Sequence, residues 1–322
     1  MVPSRPGALR GRLGSVLALL AEKSVLVGGQ AVIEGVLMRL PESYAVAVRD
    51  PKGGVRVKKD RLPETARGRL GNLPLVRGSV ILFRALLLGI SALNYSAEVA
   101  MAEEEEGGQA GSASTFSLVL TVVLSLAAGI LLFFYLPLFA TELISRHWGL
   151  AQTSLGFNLV DGALRVAVFL LYILAISLAR DIRRVFAYHG AEHKVVFTWE
   201  AKEALTVENA RRHPRLHPRC GTSFLLFVMV VSILVFALVP HGAPFWVKAA
   251  VRLLFLPLIA GISYELIRFT AKFPRSPWVK PLLWPGLAFQ LLTTREPDDA
   301  MLEVALKALE EARDVAAEPA AA

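Results

Sequence analysis

The chain has 322 residues, 54% of them hydrophobic and 19% charged, with a formal net charge of +8. Soluble domains average about 45–50% apolar and about 25% charged residues, so this composition points to a membrane protein and excludes disorder over most of the length. A single cysteine, Cys220, excludes an internal disulfide framework and a thiolate-only metal cluster.

The first 78 residues read as a cytoplasmic region containing β structure. Residues 10–23 combine Arg10, Arg12 and Lys23 with a short apolar run, which predicts a helix lying on the inner membrane surface. A signal peptide is rejected because Leu19 occupies the position where a cleavage site needs a small residue. Residues 25–39 predict two strands separated by a break at Gly28-Gly29. Alternation in 43–49 and again in 55–58, around Asp50-Pro51-Lys52-Gly53-Gly54, predicts a hairpin. Glu34 and Arg39 read as strand-end ion-pair partners.

Residues 79–115 predict an interfacial or re-entrant helix over 79–101, apolar but carrying Arg84, Asn94 and Glu98, followed by an acidic, glycine-containing linker. Four spans are predicted within 116–269, at 116–140, 159–179, 223–240 and 247–269, since crossing a bilayer takes about 20 apolar residues. Asp161 and Arg165 lie one helical turn apart in the second span and are positioned to pair. Lys and Arg number 15 before residue 116, one between the first two spans, and nine in the 180–222 loop. The positive-inside rule therefore places both termini and that loop in the cytoplasm, and a fifth span at 79–101 would break this symmetry. Residues 270–322 predict a further interfacial segment over 281–294. A final cytoplasmic helix is expected from Pro297-Asp298-Asp299, with the stripe Leu302, Ala305, Leu306 and Leu309 docking on the protein itself. The fold class expected is an α-helical multi-pass membrane protein of about four transmembrane helices, with a cytoplasmic N-terminal β-containing region and interfacial helices. Its place is the inner (cytoplasmic) membrane.

The chemistry concentrates in the 180–222 loop. Tyr188-His189-Gly190-Ala191-Glu192-His193-Lys194 contains H-x-x-E-H, the inverse of the usual zinc-protease order. His189 and His193 share a helix face at a spacing that lets two imidazoles hold one divalent metal, with zinc the first candidate. Glu192 stands beside them as the candidate general base. Cys220, His217 and Glu265 are the candidates to complete the site: Cys220 follows His217 by three residues, and Glu265 emerges from the fourth span at the inner face. Plainer roles fit the same residues. His213 and His217, with Arg211, Arg212, Arg215 and Arg219, suit phospholipid phosphates. Cys220 suits a small apolar position, and Glu265 suits a pair with Arg268 or Arg180.

Several stretches carry a resemblance. They are 28–39, Ala92-Leu93-Asn94-Tyr95-Ser96, 188–194, His213-Pro214-Arg215, 217–223, Tyr264-Glu265 and Glu296-Pro297-Asp298-Asp299. On these the chain resembles the YqhQ-like family of bacterial multi-pass membrane proteins, a domain of unknown function with relatives in photosynthetic eukaryotes. The resemblance implies a metal-dependent enzyme of unknown substrate. The functional expectation is metal-assisted hydrolysis at the cytoplasmic membrane face, acting on a membrane peptide or a lipid-like molecule, with the lipid bilayer as partner and no role for nucleic acid. The alternative is a non-catalytic membrane scaffold or assembly factor with a structural metal site. A transporter is disfavoured because the first and third spans carry no charge. A Cys220 nucleophile activated by histidine is a further, less favoured reading.

Overall fold

A computed structural model of the protein describes residues 27–62, 73–101, 115–148, 153–218, 220–239, 242–272, 276–277 and 279–318. The expected surface helix at 10–23 and the linker at 102–114 lie outside them.

Four antiparallel strands form a meander in the order β1-β2-β3-β4: β1 Gly28–Val32, β2 Gly35–Arg39, β3 Ser43–Arg49 and β4 Val55–Arg61. The 43–61 hairpin is present as expected, closed where Gly54 N–H donates to Asp50 Oδ1 at 2.8 Å and Gly53 takes φ 88°. The break between the first two strands differs from expectation. It falls at Ile33-Glu34, where Glu34 adopts φ 50°, and Val32 pairs with Gly35 across it. Gly28 and Gly29 lie inside β1 instead. Gly29 is required by a neighbour rather than by a turn: a Cβ there would sit 2.6 Å from Glu192 Cγ and 2.7 Å from the Leu37 carbonyl oxygen. β2 and β3 are apolar on both faces because both faces are covered. Val36, Met38, Ala45 and Ala47 pack against one set of helices, and Leu37, Val46 and Val48 against another.

The helices, in chain order, are α1 Val76–Met101, α2 Thr115–Ile130, α3 Leu136–Trp148, α4 Ser154–Ile176, α5 Arg180–Glu200, α6 Val207–Arg212, α7 Thr222–Phe236, α8 Phe245–Leu254, α9 Leu256–Lys272, α10 Lys280–Thr293 and α11 Asp299–Ala317. α2 and α3 are joined by a π-helical turn, Leu131–Tyr135. Pro137 follows it and has no N–H to offer the preceding turn, which is where such a shift in the hydrogen-bond ladder is expected. α11 begins as predicted, with the Asp298 side chain accepting from Met301 N–H at 2.9 Å. Its stripe docks on the sheet and on α5, leaving Leu302 and Leu309 fully buried. The second half of α1 covers the opposite sheet face through Ala92 and Val99.

Three helical stretches are long and apolar enough to cross a membrane: Val76–Met101, Val123–His147 and Ser154–Ile176. A fourth is the pair α8–α9, bent by 47°. The bend has a covalent cause, since Pro257 in the first turn of α9 cannot continue the ladder of α8. This set differs from the one read from hydropathy. α1, expected at the interface, has the length of a span. α7, expected to span, is a helix of 15 residues and reaches about 22 Å, less than the roughly 30 Å hydrocarbon thickness. The buried charges Asp161, Arg165, Lys248 and Arg252 inside the apolar helices are paired. Asp161 accepts from Arg165 at 3.1 Å, as its spacing suggested, and from Arg252 at 3.0 Å. Lys248 pairs with Glu142.

Candidate metal centre

α5 is the least hydrophobic of the long helices, yet from Ala187 to Thr198 it is buried almost all round. The sheet, α11 and the segment leading into α11 enclose it. Contact with that segment is close: Arg295 N–H donates to the Phe186 carbonyl at 2.8 Å, and a Cβ on Gly190 would overlap the Arg295 carbonyl oxygen. Burying polar side chains on this scale costs free energy unless each is satisfied. Most are. Lys194 Nζ donates to the carbonyls of Arg211 (3.1 Å) and His213 (2.8 Å) and pairs with Glu296 at 2.6 Å. Tyr188 donates to Glu34 at 3.3 Å. Burial first, and the Glu34 carboxylate second, push the Tyr188 hydroxyl above the usual tyrosine value.

The two histidines are oriented by backbone carbonyls. His189 Nδ1 lies 2.8 Å from the Thr293 carbonyl oxygen, and His193 Nδ1 lies 2.5 Å from that of Arg215. A carbonyl only accepts, so both Nδ1 atoms carry the proton, and in the neutral rings both Nε2 atoms present a lone pair. The rings stand 4.4 Å apart, centroid to centroid. His189 Nε2 is 3.2 Å from Cys220 Sγ. His193 Nε2 is buried and has no hydrogen-bond partner. One donor atom each from His189, His193 and Cys220 lie within 4.8 Å of one another. Donors on a tetrahedral zinc sit about 3.3–3.8 Å apart, so closing this set on an ion takes movements of at most about 1 Å. Two imidazoles and a sulfur suit zinc and are poor ligands for calcium or magnesium, which take oxygen.

Cys220 reaches the histidines because its turn is fixed from α10. Gln290 is fully buried in an apolar stretch, and its side chain grips the His217 backbone at both ends. His217 N–H donates to Gln290 Oε1 at 2.8 Å, and Gln290 Nε2 donates to the His217 carbonyl at 2.8 Å. Cys220 N–H closes the turn on that same carbonyl at 3.3 Å. α10 thus supplies both the Gln290 clamp and the Thr293 carbonyl that orients His189. Neither was singled out from the sequence, although a lone amide in the run Leu287–Leu292 is the signal that marks it. Gln290→Leu is expected to weaken metal affinity by about 10–100-fold, the usual effect of losing a group that holds a ligand in place. A zinc titration against a competing chelator measures this.

The remaining candidates fall at different distances from this centre. Glu192 is adjacent, with Oε2 3.5 Å from His193 Nε2 and its stem packed over Gly29. His217 is buried beside His193, ring centroids 5.7 Å apart, with its Nε2 turned to Glu200 at 3.4 Å. Glu265 is not brought to the cluster: Arg77, from the start of α1, holds both its carboxylate oxygens through Nε and Nη2. His213 pairs with Glu203 at 3.1 Å and stacks on Phe197. Arg211 and Arg212 pair with Asp299 and Glu208. Glu34 and Arg39 do not pair either. Glu34 binds Arg184 from α5, whereas Arg39 lines a cavity of about 280 Å³ with Glu192, His193 and Cys220.

The family model described as "Protein of unknown function (DUF1385)" matches residues 73–315. The chain belongs to this family. It is 35% identical over 295 residues to "Uncharacterized protein YqhQ" of Bacillus subtilis (strain 168), an alignment covering 88% of this chain and 91% of that one. The three donors, Glu192 and Gln290 all fall within the residues matched by the family model. No solved structure matches.

Proposed function

We propose that the protein is a metal-dependent hydrolase of the membrane, with zinc held by His189, His193 and Cys220 and with Glu192 as general base. One observation carries this reading: the buried Nε2 of His193, which makes no hydrogen bond, beside the lone pair of His189 and the sulfur of Cys220. A buried imidazole nitrogen without a hydrogen bond costs free energy that a cation would recover. The metal supplies a polarised water when bound. Glu192, 3.5 Å from His193 Nε2 and facing the cavity, is placed to hold the proton taken from it. Among the described residues the set has three protein donors rather than four, which favours turnover over a purely structural site. Exposed apolar side chains on α1, α3 and α4, such as Phe83, Phe139 and Leu171, fit contact with lipid. The nine Lys and Arg of residues 180–222, against one between the two apolar stretches before them, support a place for the centre at the cytoplasmic face.

A second reading rests on the 3.2 Å approach of His189 Nε2 to Cys220 Sγ, which also suits a thiol nucleophile activated by imidazole. Glu192→Gln separates the two. The hydrolase reading expects full metal content and a loss of hydrolysis of about 10²–10⁴-fold, the usual weight of a general base. The thiol reading expects Glu192→Gln to remain active and iodoacetamide to abolish activity in chelator-treated protein. Elemental analysis of the purified protein, with and without chelator, provides the metal measurement. A wild-type chain purified without any transition metal, and unable to take up zinc, overturns the first reading.

A further inference from the structure

The cavity at the candidate centre is lined by a basic group as well as by metal donors. Glu192, His193 and Cys220 line it together with Arg39 from β2 and Ala85 and Leu88 from α1. Arg39 is half-buried, and among the described residues no carboxylate pairs with it. Among the described residues Glu192 is the one acid lining this cavity, and it leans toward His193 and Gly29. A second guanidinium, Arg84, sits close enough on α1 to act on Arg39. Burial first, and this like charge second, push the Arg39 pKa below the usual arginine value. A partly desolvated guanidinium that no carboxylate pairs with is unfavourable unless an anion joins it.

The apolar part of the wall gives this basic group a direction. Beyond Ala85 and Leu88, α1 exposes Phe83, Leu86, Leu87 and Ile90. A molecule with an acidic head and an apolar body would meet a guanidinium and a greasy helix in turn, with its head beside the candidate metal donors. We propose that Arg39 receives an anionic group of the substrate, a phosphate or a carboxylate, and holds it next to His193 and Glu192. This rests on the reading of the cavity as a substrate site, and it deepens that reading by naming the charge of the substrate.

The test measures anion binding by calorimetry on metal-free, full-length protein in phosphatidylcholine nanodiscs. The probes are butyl phosphate, butyrate, inorganic phosphate and butanol. Wild type is expected to bind butyl phosphate, and Arg39→Gln to bind it about tenfold or more weakly, the ordinary weight of one charge-assisted contact. Arg39→Lys is expected to retain most of the affinity, and butanol to show no binding. Butyl phosphate binding tighter than inorganic phosphate assigns the site to an amphiphile, and equal binding assigns it to the free ion. His189→Ala, which removes a metal donor that does not line the cavity, is expected to lose zinc and keep the anion site, so the two readings fail separately. Equal affinity of wild type and a folded Arg39→Gln, or butanol binding as tightly as butyl phosphate, overturns the proposal.

Discussion

His193→Ala is expected to take the metal content of the purified protein from about one ion per chain to near zero. Two effects add. The substitution deletes the Nε2 lone pair, and it also frees the Arg215 carbonyl, which the ring holds at 2.5 Å through Nδ1. Arg215 precedes the turn that delivers Cys220, so a second donor loses its position with the first. Loss of one orienting contact costs about 10–100-fold in affinity, and loss of a ligand costs more. The consequence is visible in stability as well, because a ligand that binds only the folded state at 100 times its Kd contributes about 2.7 kcal/mol. Added zinc should therefore raise the melting temperature of wild type and leave that of His193→Ala unchanged. Equal metal in the two proteins, by elemental analysis, would remove the centre proposed here.

The parts of this centre that sequence could show are those written in local spacing. H-x-x-E-H fixes two imidazoles on one face of any helix that forms over it, and Cys220 was within reach because the chain returns through a short proline-containing loop. Glu265 misled for the opposite reason. Its place toward the end of an apolar helix was readable, but its partner Arg77 lies 188 positions away, and nothing local announces that pairing. The same holds for Gln290 and Thr293, whose roles depend on α10 packing across the turn at 217–220. In the fold, the β3–β4 hairpin was readable from its turn residues, whereas Gly28-Gly29 was misread as a break. Glycines at a turn and glycines under a crossing helix look alike in one dimension, and only the position of Glu192 over Gly29 tells them apart. α1 was ambiguous because its first half is exposed and apolar while its second half covers a sheet. A single amphipathic score averages the two.

Asp161→Asn is expected to destabilise the protein by about 3–5 kcal/mol, the cost of leaving buried charge uncompensated. Asp161 is a single carboxylate between two guanidiniums, at 3.1 Å from Arg165 and 2.9 Å from Arg252, and all three residues are buried. The arrangement already carries one more positive charge than negative. Both guanidiniums also lie 5.3 Å from the Phe236 ring. Such contacts are worth about 0.5–2 kcal/mol each, so they soften the excess without replacing a carboxylate. Asparagine keeps the shape and removes the charge, which isolates the electrostatic part. Replacing Arg165 by Met in the same chain should recover part of the loss, because the remaining Arg252 then faces the amide without a like-charged neighbour. Denaturant unfolding in micelles measures both variants, and a change below about 0.5 kcal/mol for Asp161→Asn would contradict the argument. Metal content per folded molecule should not move. The donors are set by α5, α10 and the 214–220 turn, and Asp161 touches none of them, so this knot holds the apolar helices together while the chemistry is organised elsewhere.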